Sequence, residues 1–153
     1  MLFSIGAHPA FNWTLEKNNK EDYYFEFEDT KELERLPLTQ NRISNNKELI
    51  KLEQNKLDLD EKLFKDDTLV IQNLKNKTIT LKNSQDSKSI KMSFDGFAYL
   101  GLWSKPSGAP FICIEPWHGI ADFINHNKKL EDKKGIITLP SNEIFESSYT
   151  ISI

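Results

Sequence analysis

The chain has 153 residues, 20 basic against 23 acidic side chains and a formal net charge of −3. That length allows one ordinary domain with a sizeable core, and the near-even charge excludes the strongly basic footprint of a nucleic-acid-binding surface. The single cysteine, Cys113, excludes an internal disulfide and a cysteine-rich metal site, no apolar run is long enough for a membrane span and no signal peptide is visible, so a soluble cytoplasmic protein without nucleic-acid or membrane partners is expected.

The N-terminal run "MLFSI" is apolar and stops at Gly6-Ala7-His8-Pro9, where the proline ends or edges a strand. "YYFEFE" alternates, with Tyr23, Phe25 and Phe27 on one face and Tyr24, Glu26 and Glu28 on the other. The Asn- and Lys-rich segment from Leu38 to Lys56 reads as a loop with a weak strand near Leu49–Leu52. "LDLDEKLF", Leu57 to Phe64, reads as a short helical turn, and Asp66-Asp67 lead into the apolar strand "TLVI". "TITL" sets Ile79 with Leu81, "SIKMSF" sets Ile90 with Met92 and Phe94, and "YTISI" sets Tyr149 with Ile151 and Ile153. "AYLGLW" and "FICIE" read as more deeply buried strands. Turn signals at Asp95-Gly96, Ser107-Gly108 and Pro140-Ser141-Asn142 separate these runs. Many short strands with polar turns predict an all-β chain, an antiparallel β-sandwich, over residues 1–153.

Chemistry-bearing residues are few. His8 is either a structural histidine or a site residue. His118 follows Trp117 and precedes Gly119, which predicts a turn, and His126 in "INHNKK" reads as solvated. No two histidines have the spacing of a metal site on one element, so no metal is expected. In "FICIE", Phe111, Cys113 and Glu115 share one strand face, and Ile112 and Ile114 share the other. Glu115 is either a water-exposed residue at a strand end or a partly desolvated carboxylate, which would ionise late enough to act as a base near neutrality. Trp103 and Trp117 are either core or rings for the C–H faces of a sugar. Asp66 and Asp67 point oppositely on an extended chain, so at most one faces a pocket. No glycine-rich phosphate loop and no nucleophile-elbow sequence is present.

The runs "FSIGAHPAFN", "FKDDTLVI", "GLWSKPSGAPFICIEPWHGIADF" and "EDKKGIITLPSNEIFESSYTISI" resemble the aldose 1-epimerase (galactose mutarotase) family, in particular its bacterial aldose-epimerase-like branch. The resemblance implies a galactose mutarotase-like β-sandwich, here only the C-terminal half of it, whose members interconvert the α and β anomers of free sugars without cofactor or metal. By resemblance His8 falls on the general acid and Glu115 on the general base. The aspartate that holds sugar hydroxyls falls in the Asp66-Asp67 pair, with Asp67 favoured because it directly precedes Thr68-Leu69-Val70. Asn12, Trp103 and Trp117 complete the expected substrate-binding set for a small-molecule aldose. The half not matched holds a sugar-binding arginine and a second histidine in the family pattern. That departure keeps a second reading open: a non-catalytic carbohydrate-binding or self-associating β-domain. A half-sandwich also leaves strand edges open, so a homo-oligomer, or association with the other half, is expected.

Overall fold

The computed structural model describes residues 1–13, 19–106 and 108–153. In chain order its strands are β1 (Leu2–Phe3), β2 (Ala10–Asn12), β3 (Tyr23–Glu26), β4 (Glu32–Leu36), β5 (Leu38–Thr39), β6 (Arg42–Ile43), β7 (Glu48–Lys51), β8 (Lys56–Asp58), β9 (Leu69–Gln72), β10 (Thr78–Asn83), β11 (Ser89–Ser93), β12 (Tyr99–Trp103), β13 (Phe111–Trp117), β14 (Ile137–Thr138) and β15 (Thr150–Ser152). They build a six-stranded sheet ordered β2-β13-β12-β9-β4-β7, a five-stranded sheet ordered β15-β11-β10-β3-β8, and the two-stranded ribbons β1-β14 and β5-β6. Every strand pair is antiparallel, as the alternating pattern predicts.

The two large sheets face each other across one core. Phe25, Ile79, Leu81 and Met92 come from the five-stranded sheet, and Leu33, Ile71, Leu100, Leu102, Ile112 and Ile114 from the six-stranded one. Burying each such side chain contributes roughly 1.5–3 kcal/mol. β10 shows why these residues fold this way. Ile79 and Leu81 are buried, while the interleaved Thr78, Thr80 and Lys82 stay half-exposed, the signature of a strand with one wet face. β12 and β13 are buried on both faces. Their second face is covered by a smaller cluster of Leu36, Ile43, Val70, Tyr99 and Ile120. The β5-β6 ribbon closes over it, with Ile43 N–H donating to the Asp122 carbonyl and Ile124 N–H to that of Ile43.

Four segments differ from the sequence reading. β4 was not anticipated: "ELERL" places Leu33 in the main core and Leu36 in the outer cluster, so one apolar residue faces each way and no alternation shows. The stretch read as a loop contains the β5-β6 hairpin as well as β7. Its turn uses Gln40 and Asn41, both with positive φ (51° and 60°), a two-residue geometry usually signalled by Asn-Gly. Leu57–Phe64 is a strand end followed by a 3₁₀ turn over Glu61–Phe64, capped by Asp60 accepting from Lys62 N–H at 2.8 Å. β15 forms, but as an edge strand whose Ile151 is 40% exposed, with Ile153 beyond it fully exposed. At the predicted turns Gly96, Gly108 and Asn142 take positive φ, while Ser107 lies outside the described residues. No helix among the described residues is long and apolar enough to cross a membrane.

Candidate active site

β13 serves two sides at once. Ile112 and Ile114 point into the core, and Cys113, Glu115 and Trp117 point to the outer face. Across the ladder, β12 sets Trp103 opposite Cys113, Gly101 opposite Glu115 and Tyr99 opposite Trp117. The glycine is required. A Cβ at Gly101 would lie 2.6 Å from Trp117 Cζ2, and one at Gly6 would lie 2.3 Å from Trp117 Cδ1. The indole is therefore held between two positions without side chains, next to the Glu115 carboxylate, which it favours in the charged form.

His8 reaches the same place from the segment before β2. That segment is tied to β13 on both sides of the histidine. Ala7 N–H donates to the Pro116 carbonyl at 3.0 Å, and Ile114 N–H donates to the Pro9 carbonyl at 3.2 Å. Gly6 and Trp117 form a β-bridge beyond them. The imidazole thus projects over β13, with Nε2 3.5 Å from Glu115 Oε1. Its ring stands edge-on to Trp103, centroids 6.0 Å apart. The His8 side chain is 63% exposed and that of Glu115 only 4%. One partner meets solvent, and the other is held beneath it.

Burial sets the electrostatics. It pushes the Glu115 carboxyl up to about 7, against a smaller downward pull from the Trp117 indole and with a further upward push from the charge of Asp67. Glu115 therefore changes charge near neutrality. Cys113 lies behind it, its thiol pushed up to about 12 by burial and by the Glu115 charge.

Asp67 takes a left-handed φ of 79°, and its Oδ1 accepts from Thr68 N–H at 2.8 Å and from the Thr68 hydroxyl at 3.2 Å. Both aspartates of the pair are exposed, and Asp67 is the one whose charge acts on Glu115. A cleft of about 390 Å³ opens beside His8 and Glu115, lined by Ser4, Gly6, Trp117 and Ile120 among others. That volume lies within the range of small-ligand sites.

The expected site residues do not all converge. His8, Glu115 and Trp117 line one cleft and Trp103 stands edge-on to His8, while Asp67, on the surface, is linked to Glu115 through its charge. Asn12 does not join them: it lines a separate cleft of about 710 Å³ with Tyr23 and Lys82. Four residues along an extended chain carry it about 13 Å from His8. His118 sits in the bend after β13, as expected, with Nε2 2.8 Å from Ser147 Oγ. His126 is not solvated: it is half-buried, and Nδ1 accepts from Lys128 N–H at 3.1 Å. Gly6 and Gly101, which seat Trp117, were not singled out from the sequence. A glycine inside "AYLGLW" was the available signal, since glycine in a strand interior marks a close approach.

Comparison with known proteins agrees with this architecture. The aldose 1-epimerase family model matches residues 1–135. The plasmid and chromosomal forms of protein LacX from Lactococcus lactis subsp. lactis are each 34% identical to this chain over 157 residues, covering 100% of it and 52% of their own length. The crystal structure of a galactose mutarotase related enzyme from Lactobacillus acidophilus superposes with a TM-score of 0.91 at 30% identity, over 99% of this chain and 52% of that one. A galactose mutarotase-like protein from Lactobacillus casei ATCC 334 gives a TM-score of 0.75 at 26% identity, over 99% of this chain and 51% of that one. The chain spans about half the length of the curated relatives it matches. With a family match over most of its length and a superimposable antiparallel sandwich, the chain belongs to the aldose 1-epimerase family.

Proposed function

We propose that this chain carries the acid–base pair of an aldose 1-epimerase and interconverts the α and β anomers of an aldose. The observation that carries the reading is the pairing of a buried carboxylate, poised near neutrality, with an exposed imidazole 3.5 Å away. The anomeric hydroxyl and the ring oxygen share one carbon, so the groups that serve them must stand close together. Glu115 removes the proton from the anomeric hydroxyl. His8 gives a proton to the ring oxygen as its bond to C1 breaks, leaving the open-chain aldehyde. Rotation about C1–C2 presents the other carbonyl face. Re-closure then reverses both proton transfers. No electrons change hands, so acid and base suffice. In the same reading Trp117 and Trp103 offer ring faces to the sugar, and Asp67 accepts from its hydroxyls.

Polarimetry on a freshly dissolved α-aldose, galactose first in view of the related proteins, tests the proposal. The chain accelerates anomerisation, and Glu115→Gln or His8→Asn each lowers turnover by roughly 10²–10⁴-fold with a smaller change in KM. An active parent whose Glu115→Gln variant is equally fast refutes the base.

The edge strand β15 with exposed Ile151 and Ile153 favours a second reading, a binding or self-associating domain. A parent that is inert yet binds sugar by calorimetry would replace the enzyme reading with this one. Sedimentation of a compact monomer at high concentration would count against association.

A further inference from the structure

We infer that His8, Cys113 and Glu115 form a binding site for Zn²⁺ or a chemically similar divalent transition ion. One imidazole nitrogen, one sulfur and one carboxylate oxygen lie within 4.8 Å of one another. Zinc takes such donors at about 2.0–2.3 Å in a tetrahedron, which sets them about 3.4 Å apart. His8 and Glu115 already stand 3.5 Å apart, so the donors must draw together by at most about 1.4 Å.

The frame makes that contraction local. Cys113 and Glu115 are two residues apart on one face of β13, a strand paired on both sides. The backbone carrying His8 is tied to the same strand at Ala7 and Pro9. What remains free is the exposed imidazole, whose rotation supplies the movement and whose open side is the route in for the ion. Water takes the fourth position there. The donor set selects the metal: a thiolate excludes Mg²⁺ and Ca²⁺, while nitrogen, sulfur and oxygen together suit zinc, cobalt or nickel. On binding, the Cys113 S–H bond breaks, its proton leaves to solvent and the sulfur keeps the electron pair. The oxidation state of the ion is unchanged.

Such a site is not legible in the sequence, because spacing rules look for ligands on one element. These three come from two segments joined by a strand ladder. The consequence for activity, which rests on the proposed acid–base roles, is inhibition: the ion takes the lone pairs that His8 and Glu115 need for proton transfer.

The test is a titration of the chelator-stripped chain with Co²⁺ alone, followed by absorbance. One equivalent binds, with a thiolate-to-cobalt charge-transfer band in the near ultraviolet, and Zn²⁺ abolishes the band. Cys113→Ser removes the band. His8→Ala, at an exposed position that the core does not use, weakens Co²⁺ binding by roughly tenfold or more. No band at one equivalent, or unchanged affinity in His8→Ala, overturns the site even if Cys113→Ser fails to fold. Polarimetry with one equivalent of Zn²⁺ then reads the inhibition, each protein against its own metal-free rate, with recovery on adding chelator. The absorbance titration scores the metal site without reference to activity, and the metal-free polarimetric rate scores the epimerase reading separately.

Discussion

Glu115→Gln changes how stability depends on pH, quite apart from any rate. In the folded chain the carboxyl holds its proton up to about 7, against an ordinary value of 4.5. Between those values the folded state binds a proton that the unfolded state has already lost. Raising the pH through that window therefore favours unfolding, and stability falls from about pH 4.5 to about pH 7 before levelling. At about 1.4 kcal/mol per pH unit the gap corresponds to about 3 kcal/mol. Glutamine keeps the shape and does not titrate. The variant's advantage over the parent should therefore grow by about 3 kcal/mol between pH 4 and pH 8. Urea unfolding followed by tryptophan fluorescence at a series of pH values measures it. All other titrating groups are shared, so they cancel in the difference, as does any constant effect of the amide. A difference curve that stays flat would show that the carboxylate ionises normally in the folded chain, and the argument for a buried base would fail with it.

Three further outcomes follow from the same geometry. Asp67→Asn removes a charge that holds Glu115 up, so the fall in stability with pH should move to lower pH; an unmoved midpoint would break the link between the two carboxylates. Gly101→Ala brings a methyl within 2.6 Å of Trp117 and should cost about 1–3 kcal/mol in urea unfolding, with a change in native tryptophan emission. Cys113, buried and with its thiol pushed from 9.0 up to about 12, should react with iodoacetamide at pH 8 roughly a thousandfold more slowly in the folded than in the urea-unfolded chain, read by mass spectrometry.

What the sequence disclosed follows the strength of its periodicity. β10 and β11 were legible because one face is wet and the apolar residues recur every second position. β12 and β13 were legible as long apolar runs. β4 was hidden because its two leucines serve opposite faces, and β5-β6 because its turn is made by Gln40-Asn41 rather than by glycine. In the site, His8 and Glu115 could be named from their motifs, and alternation put Cys113 on the face of Glu115. Their meeting could not be read, since it depends on the pairing of the Gly6–Pro9 segment with β13, a contact between residues more than 100 positions apart. Asn12 shows the converse: a residue inside a recognisable motif is carried out of the cleft by the extension of the strand it sits on.

The two-sided character of β13 constrains how its seven residues can change over evolutionary time. Its odd positions supply Cys113, Glu115 and Trp117, and its even positions supply Ile112 and Ile114, both completely buried. A one-residue insertion or deletion in this strand exchanges the two sets, because side chains alternate with a strict period of two. Glu115 would then enter the space between the sheets, where an unpaired carboxylate costs several kcal/mol, and isoleucines would line the cleft. Substitution within each set is open to gradual change, but a frame slip loses core and site together. Length variation within β13 should therefore be strongly disfavoured, with changes in loop length confined to the connections on either side.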